Sequence, residues 1–143
     1  MIANYVVPFS VNNLQVSIRT QVAFAREYCK NNKIRFSLPT TESWYSGEYS
    51  KLKDLVAGGY TDILVYSKIL LASELCYETL LECQKRGEGN MPRFHITYSN
   101  KMVDTTTMLK DINEKLRHKR HSMKLNIVLE YLKSNLVREP ANL

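Results

Sequence analysis

Short apolar runs alternate along this chain with segments in which apolar residues recur every three or four positions. The runs at residues 2–8, 34–38, 63–66 and 93–98 have the length and the β-branched character of strands. The segments between them, at about 17–31, 46–57 and 71–85, have the spacing of amphipathic helices. Strands that alternate with helices in this way form βαβ units with parallel strands. The sequence therefore predicts a three-layer α/β domain with a mostly parallel four-stranded sheet in the order 2-1-3-4.

The last helical pattern is far longer than the others. It begins at Asp104 and Thr105, which are suited to cap a helix N-terminus, and it continues to about Leu136. It predicts either one long helix or two helices joined near residues 118–122. We expect residues 1–104 to form the body of a single domain and residues 105–143 to extend from it as an arm.

The distal part of this arm carries more apolar side chains than a four-stranded body needs to cover its sheet. These residues recur at helical spacing: Met123, Ile127, Val128, Tyr131 and Leu132. An apolar helix face without a partner in its own chain indicates association with another copy. The pattern predicts a homodimer formed through the C-terminal helix.

The same arm contains a cluster of basic residues. The chain has 20 lysines and arginines against 14 aspartates and glutamates, which gives a net charge of +6. The cluster consists of Lys115, Arg117, Lys119, Arg120 and Lys124, with His118 and His121 between them. Clustered cations bind phosphates because they release counterions, although many basic runs are only solvated helix faces. We expect the lysines and arginines of this cluster to contact DNA or RNA.

Cysteine spacing and hydropathy narrow the class of protein. Cys29, Cys76 and Cys83 lack the CxxC spacing of a zinc or redox site, and the start of the chain does not resemble a signal peptide. No apolar run approaches the ~20 residues that a membrane-spanning helix requires. His118 and His121 are three residues apart, but the cations around them would repel a metal ion. We therefore expect a cytoplasmic protein without a membrane segment, a metal site or another cofactor.

Polar residues follow the predicted strands at their carboxyl ends, where an open parallel sheet forms its functional crevice. Ser10 follows the first strand, Glu42 the second and Lys68 the third. A hydroxyl beside a carboxylate and an ammonium group could activate the serine or bind a phosphate, although polar strand-end loops also occur without such a role. These three residues are the predicted catalytic group. Trp44 and Tyr45 follow Glu42 and could stack on a base or close the edge of the core.

Several short motifs follow one another along the chain in a characteristic order. They are Ser10, Gln21, Glu27-Tyr28-Cys29, Glu42, Ser46-Gly47, Tyr60-Thr61-Asp62 and Val103-Asp104-Thr105-Thr106-Thr107. Their order and spacing, from about residue 5 to residue 125, resemble the catalytic domain of the serine recombinases, the resolvase/invertase family. The resemblance implies a flavodoxin-like sheet, attack of Ser10 on a DNA phosphodiester and arginines that stabilise the phosphate charge. It also implies a long C-terminal helix that dimerises and crosses DNA.

The chain departs from the serine recombinase pattern where that family carries its charged residues. Pro8 stands where an arginine is expected two residues before the serine, and Ile69, Leu70 and Ser73 replace an Asp-Arg pair and a further arginine. Loss of charge-matched donors around a phosphoryl transition state raises the barrier substantially. The resemblance therefore implies a degenerate, nucleic-acid-binding relative that lacks standard strand exchange and retains at most a serine-dependent nicking of DNA.

A second resemblance covers about the first 75 residues. Its motifs are Pro8-Phe9, Gln21, Arg26-Glu27-Tyr28-Cys29, Phe36-Ser37-Leu38-Pro39-Thr40-Thr41-Glu42 and Tyr66-Ser67. They look like a small bacterial family found sporadically in surface-carbohydrate gene clusters. This resemblance implies an accessory protein of surface-polysaccharide biosynthesis that binds an anionic sugar or a nucleotide-sugar in the strand-end crevice. A dimerisation or regulatory module with neither ligand is the third class that the sequence allows.

Overall fold

A five-stranded sheet lies at the centre of the structure, a computed structural model that describes residues 1–8, 15–42, 48–86 and 91–138, with side chains up to residue 134. The strands are β1 (Ile2–Val6), β2 (Pro39–Thr41), β3 (Asp62–Val65), β4 (Arg93–Ile96) and β5 (Lys101–Asp104). The helices are α1 (Ile18–Asn31), α2 (Ser50–Ala57), α3 (Glu74–Arg86) and α4 (Thr105–Arg138), with a 3₁₀ turn at Lys68–Leu71. An α/β architecture with a mostly parallel sheet and a long C-terminal helix is therefore confirmed.

The sheet contains one strand more than the sequence predicts. Its order is β2-β1-β3-β4-β5, so the predicted order 2-1-3-4 continues into β5. β1 to β4 are parallel, whereas β5 pairs antiparallel with β4. The prediction of four strands is therefore wrong. β5 is not visible in the sequence because it has only four residues, three of them exposed, and so shows no apolar run. The chain reverses before β5 through Asn100, whose φ of 53° lies in the left-handed region that asparagine tolerates.

β2 begins later than the sequence predicts. Residues 34–38 precede the strand, and Ile34 and Phe36 pack beneath α1 instead of in the sheet. The alternation of apolar and polar residues therefore arises because one side of this extended segment packs against α1. The strand itself starts at Pro39, which is tolerated there because β2 is an edge strand and the first residue needs no ladder donor on its outer side.

Helices cover both faces of the sheet, as expected for three layers. α2, α3 and α4 lie on one face over the larger core, whose fully buried members include Tyr5, Leu52, Leu80, Phe94 and Met108. α1 lies on the other face and packs Ala25, Tyr28 and Cys29 against Leu64 of β3. The α1 face thus has the thinner cover.

α4 is one continuous helix of 34 residues, about 51 Å long at 1.5 Å per residue. Met108, Ile112 and Leu116 on its first turns are buried in the core, but every side chain from residue 117 to residue 134 is exposed. Because β5 returns the chain to the amino end of the parallel strands, α4 starts there and runs towards their carboxyl ends. Its exposed half consequently projects beyond the carboxyl edge of the sheet.

Candidate functional site

The strand-end crevice begins where β1 leaves the sheet. Gln21, on the first turn of α1, is buried, and its Nε2 donates to the carbonyl oxygens of Val7 and Val16, each at 2.8 Å. Its Oε1 accepts a hydrogen bond from the Val7 amide at 3.0 Å. One side chain therefore holds the backbone on both sides of residues 9–14. Ser10 lies in that segment, outside the described residues, so its role as a nucleophile stays a prediction.

Glu42 is buried and caps the helix that follows it. Its Oε2 accepts hydrogen bonds from the Tyr5 hydroxyl at 2.6 Å and from the Leu52 amide at 3.2 Å. Its Oε1 accepts from the Lys51 amide at 3.1 Å. Both amides belong to the first turn of α2, where a carboxylate also interacts favourably with the helix dipole. Burial, and then the bond to Glu42, raise the pKa of Tyr5 far above its ordinary value. The structure thus places Glu42 inside the core and not at an open surface.

Lys68 follows β3 at the carboxyl edge, and its ammonium group turns to α4. Its Nζ lies 2.7 Å from Asp111 Oδ2, with both side chains roughly a third exposed. The preceding residue, Ser67, accepts a hydrogen bond from the Ile69 amide at 3.4 Å and so starts the 3₁₀ turn. The ion pair fastens α4 to the carboxyl edge. Glu42 and Lys68, predicted to act together, therefore contact two different helices.

Three aromatic rings meet at the carboxyl ends of β3 and β4. The ring of Phe24, on α1, lies 5.1 Å from that of Tyr66 and 5.9 Å from that of Tyr98, and the two tyrosine rings are 5.4 Å apart. We call these three residues the aromatic cluster. Tyr98 is 63% exposed and Phe24 is 37% exposed, so the cluster forms part of the surface. Sequence reasoning missed it because the three residues are distant along the chain and only the topology brings them together.

A buried polar network lies on the α1 face, nearer the amino ends of the strands. The Tyr28 hydroxyl is 2.6 Å from His95 Nδ1, and His95 Nε2 is 2.7 Å from Asp62 Oδ1. Asp62 also accepts a hydrogen bond from Thr61 Oγ1 at 2.8 Å and pairs with Arg93 at 3.1 Å. Burial alone would raise the pKa of Asp62, but the hydrogen bonds from His95 and Thr61 and the charge of Arg93 lower it. Tyr28, His95 and Asp62 are buried and hydrogen-bonded to one another, so the network fastens α1 to β3 and β4.

The residues predicted to bind nucleic acid lie together on the projecting half of α4. Lys115, Arg117, Lys119, Arg120 and Lys124 are all exposed. We call residues 115–124 the basic segment. A groove of about 500 Å³ runs along it, lined by Arg117, His118, Arg120, His121 and Lys124. Arg117, Arg120 and Lys124 therefore share one side of the helix, whereas Lys115 and Lys119 are exposed on its other side.

Arg120, in the basic segment, is paired within the chain. Its Nε and Nη2 each donate to one carboxylate oxygen of Glu74 at 2.6 Å. This two-point contact holds the basic segment against the start of α3 and neutralises one positive charge. Within the described part of the chain, Lys115, Arg117 and Lys124 form no ion pair. These three cations are the ones most available to a ligand.

The other candidates from the sequence either pack in or near the core or lie outside the described residues. Cys76 is buried in the core and Cys83 is half-buried on α3. Trp44 and Tyr45 lie outside the described residues. Among residues 1–8, 15–42, 48–86 and 91–138, no three histidines, cysteines or carboxylates come together as metal ligands would.

One finding concerns the helices, and another concerns similarity to known proteins. In the described ranges, none of the helices combines the length and the apolar character needed to cross a bilayer. Both family resemblances stay predictions from the sequence. No protein-family model, curated protein or solved structure matches this chain.

Proposed function

We propose that this protein binds nucleic acid through the basic segment of α4, as a homodimer held by the distal half of the same helix. The observation that carries the proposal is the exposure of five lysines and arginines on a helix that leaves the body of the domain. Residues 115–124 contain no acidic residue, and the chain as a whole has an excess of only six positive charges. The rest of the protein is therefore close to charge balance. Attraction for an anion is concentrated in one segment of α4.

An extended polyanion fits this surface better than a small anion does. The ten residues of the basic segment span about 15 Å of helix. Double-stranded DNA carries a charge about every 1.7 Å along its axis, so several phosphates can face the segment at once. The cations are exposed side chains spread along the helix and do not converge on a single point. A partner with repeated phosphates can contact several of them at once.

The distal segment, residues 123–134, supplies the proposed dimer contact. Seven apolar side chains are exposed there: Met123, Leu125, Ile127, Val128, Leu129, Tyr131 and Leu132. Leu125, Val128 and Leu129, with Leu132, follow the i, i+3, i+4, i+7 spacing of one helix face. Burying each such side chain stabilises a protein by about 1.5–3 kcal/mol, and the single chain leaves these side chains in water. A second copy of α4 offers the same apolar face, and pairing would place two basic segments in one particle.

We limit the proposal to binding. Glu42 and Lys68 are occupied by contacts with α2 and α4, and Ser10 lies outside the described residues. Serine-dependent nicking of DNA stays a prediction from the sequence, to be tested separately.

Fluorescence anisotropy with a labelled oligonucleotide tests the basic segment. The double variant Arg117→Ala/Lys124→Ala should bind roughly tenfold more weakly, from about 0.7 kcal/mol for each exposed charge pair. The matched control is Lys51→Ala/Lys85→Ala, which removes the same charge from exposed positions on α2 and α3. Equal weakening in the two variants would show that only net charge matters and would contradict a binding surface on α4.

Glu74→Gln tests the same surface by a substitution that should increase the affinity for nucleic acid. The substitution releases Arg120 from its partner and removes a negative charge beside the groove, so binding should strengthen. Weaker binding would mean that the pair with Glu74 is needed to position the basic segment, and unchanged binding would place the ligand elsewhere.

Sedimentation equilibrium tests the dimer. At tens of micromolar the wild type should have the mass of two chains, and Val128→Glu/Leu132→Glu should have the mass of one, because two carboxylates would be buried in the contact. Lys133→Glu changes the charge of a neighbouring position outside the apolar face and should leave the mass unchanged. A monomeric wild type would refute the contact.

A further inference from the structure

We infer that the nucleic acid is single-stranded and that its bases stack on the aromatic cluster formed by Phe24, Tyr66 and Tyr98. This inference rests on the proposed function, because it assigns a second part of the same binding surface. It adds the form of nucleic acid that the protein selects and the residues that select it.

The aromatic cluster and the basic segment lie at the same edge of the sheet. Tyr66 and Tyr98 closely follow the parallel strands β3 and β4, so they mark the carboxyl edge. α4 is fastened to that edge by the Lys68–Asp111 pair, and residues beyond Leu116 project past it. The cluster faces the α1 side of the sheet and α4 covers the other side. A strand crossing this edge can therefore lay its phosphates along α4 and its bases on the rings.

Phe24 and Tyr98 are exposed and Tyr66 is half-buried, and the three rings pack against one another. Tyr98 packs beside two other rings and still leaves 63% of its surface in water, so a face of the cluster stays open to a ligand. The Phe24 and Tyr66 rings meet edge to face at 89°. A ring held in place by its neighbours loses little conformational entropy when a base stacks on it. Lys101, exposed at the start of β5, adds a cation near Tyr98 in the chain for the adjoining phosphate.

The chemistry of this surface favours a single strand over the alternatives. In a duplex the base faces are stacked on one another, so they cannot meet a protein ring without being flipped out. Proteins that bind single strands combine a basic track with aromatic rings on which bases stack, and every base offers a suitable face. A nucleotide-sugar carries one base and one diphosphate, so it would occupy the rings and leave most of the basic segment unused.

The test compares a single-stranded oligonucleotide of mixed sequence with a duplex of the same length, at one salt concentration, by fluorescence anisotropy. The wild type should bind the single strand more tightly. Tyr98→Ala should weaken single-strand binding roughly 5- to 150-fold, which is the range for removal of one base–aromatic stack, and should leave duplex binding unchanged. Tyr98→Phe keeps the ring and should restore wild-type affinity. Leu38→Ala, which trims an 88% exposed apolar side chain just before β2, is the matched surface control and should have no effect.

The outcomes separate this inference from the function on which it rests. If the protein binds single strand and duplex equally, or if Tyr98→Ala behaves like Leu38→Ala, the stacking role is refuted while nucleic-acid binding survives. If neither nucleic acid binds, the proposed function itself fails. Tight binding of a nucleoside diphosphate sugar, abolished in Tyr98→Ala, without oligonucleotide binding would overturn both in favour of a carbohydrate-related role. Because Tyr98 is exposed, the variant should melt at the wild-type temperature, and a shift would show that the ring supports the fold.

Discussion

Glu42 should contribute strongly to stability because its buried carboxylate accepts several hydrogen bonds. Its carboxylate accepts from the Tyr5 hydroxyl and from two amides of α2, and only 2% of the residue is exposed. Glu42→Ala leaves the buried hydroxyl without an acceptor, which costs about 1–3 kcal/mol. Loss of the helix cap costs about 0.5–2 kcal/mol more. Together with the small cavity, we expect the free energy of unfolding to fall by roughly 3–5 kcal/mol.

Urea denaturation followed by circular dichroism measures this decrease. A total stability of about 5–15 kcal/mol is typical of a domain, so the variant should still fold in water but unfold at much lower denaturant. Glu78→Ala removes an exposed carboxylate from α3 and should change stability by less than about 0.5 kcal/mol.

A second substitution, Tyr5→Phe, should change stability in opposite directions in the wild type and in Glu42→Ala. In the wild type, Tyr5→Phe should lower stability, because it removes the hydrogen bond to Glu42. In the Glu42→Ala background it should raise stability, because the unpartnered hydroxyl disappears with it. The same sign in both backgrounds would refute the proposed contact. A Glu42→Ala variant that is stable but binds no ligand would instead show that Glu42 acts on the ligand.

Three further predictions concern Asp62, Thr97 and Ser10. The lowered pKa of Asp62 means that its charged form stabilises the fold above the ordinary carboxyl range and that this contribution disappears as pH falls through a value below 3.8. Asp62→Asn should therefore flatten the acid side of a plot of melting temperature against pH, and an unchanged plot would contradict the network with His95. Thr97 Oγ1 is buried without a hydrogen-bond partner among the described residues, so Thr97→Val should raise stability by about 1 kcal/mol in thermal denaturation, and a decrease would reveal an undetected partner. Strand exchange should be undetectable on a denaturing gel, and nicking that persisted in Ser10→Ala would mean that the serine recombinase resemblance misplaces the nucleophile.

Local signals in the sequence account for the elements that were predicted well. Ser17 precedes α1 and its Oγ accepts from the Thr20 amide at 3.1 Å, while Asp104 precedes α4 and accepts from the Thr107 amide at 2.7 Å. Both caps are short-range and visible in the sequence. The long α4 follows from the absence of a helix breaker between residues 105 and 138.

Features that depend on distant residues were not predictable in the same way. β5 is stabilised by pairing with β4 and not by an apolar pattern of its own. The neutralisation of Arg120 by Glu74 depends on how α3 and α4 pack. The position of Glu42 after a strand predicts a catalytic role, whereas the contacts of its oxygens with the first turn of α2 are visible only in the structure. Each of these three features depends on an interaction between residues in different parts of the chain.

The salt dependence of binding tests the central claim most directly. With the observed binding constant for a single-stranded oligonucleotide plotted against salt on logarithmic axes, neutralisation of three or four phosphates should give a slope of about −2 to −3. Arg117→Ala/Lys124→Ala should make the slope shallower by about 0.7 for each phosphate that is no longer neutralised, while Lys51→Ala/Lys85→Ala should keep the wild-type slope. Equal slopes for the wild type and Arg117→Ala/Lys124→Ala would contradict the assignment of the basic segment of α4 as the phosphate-binding surface.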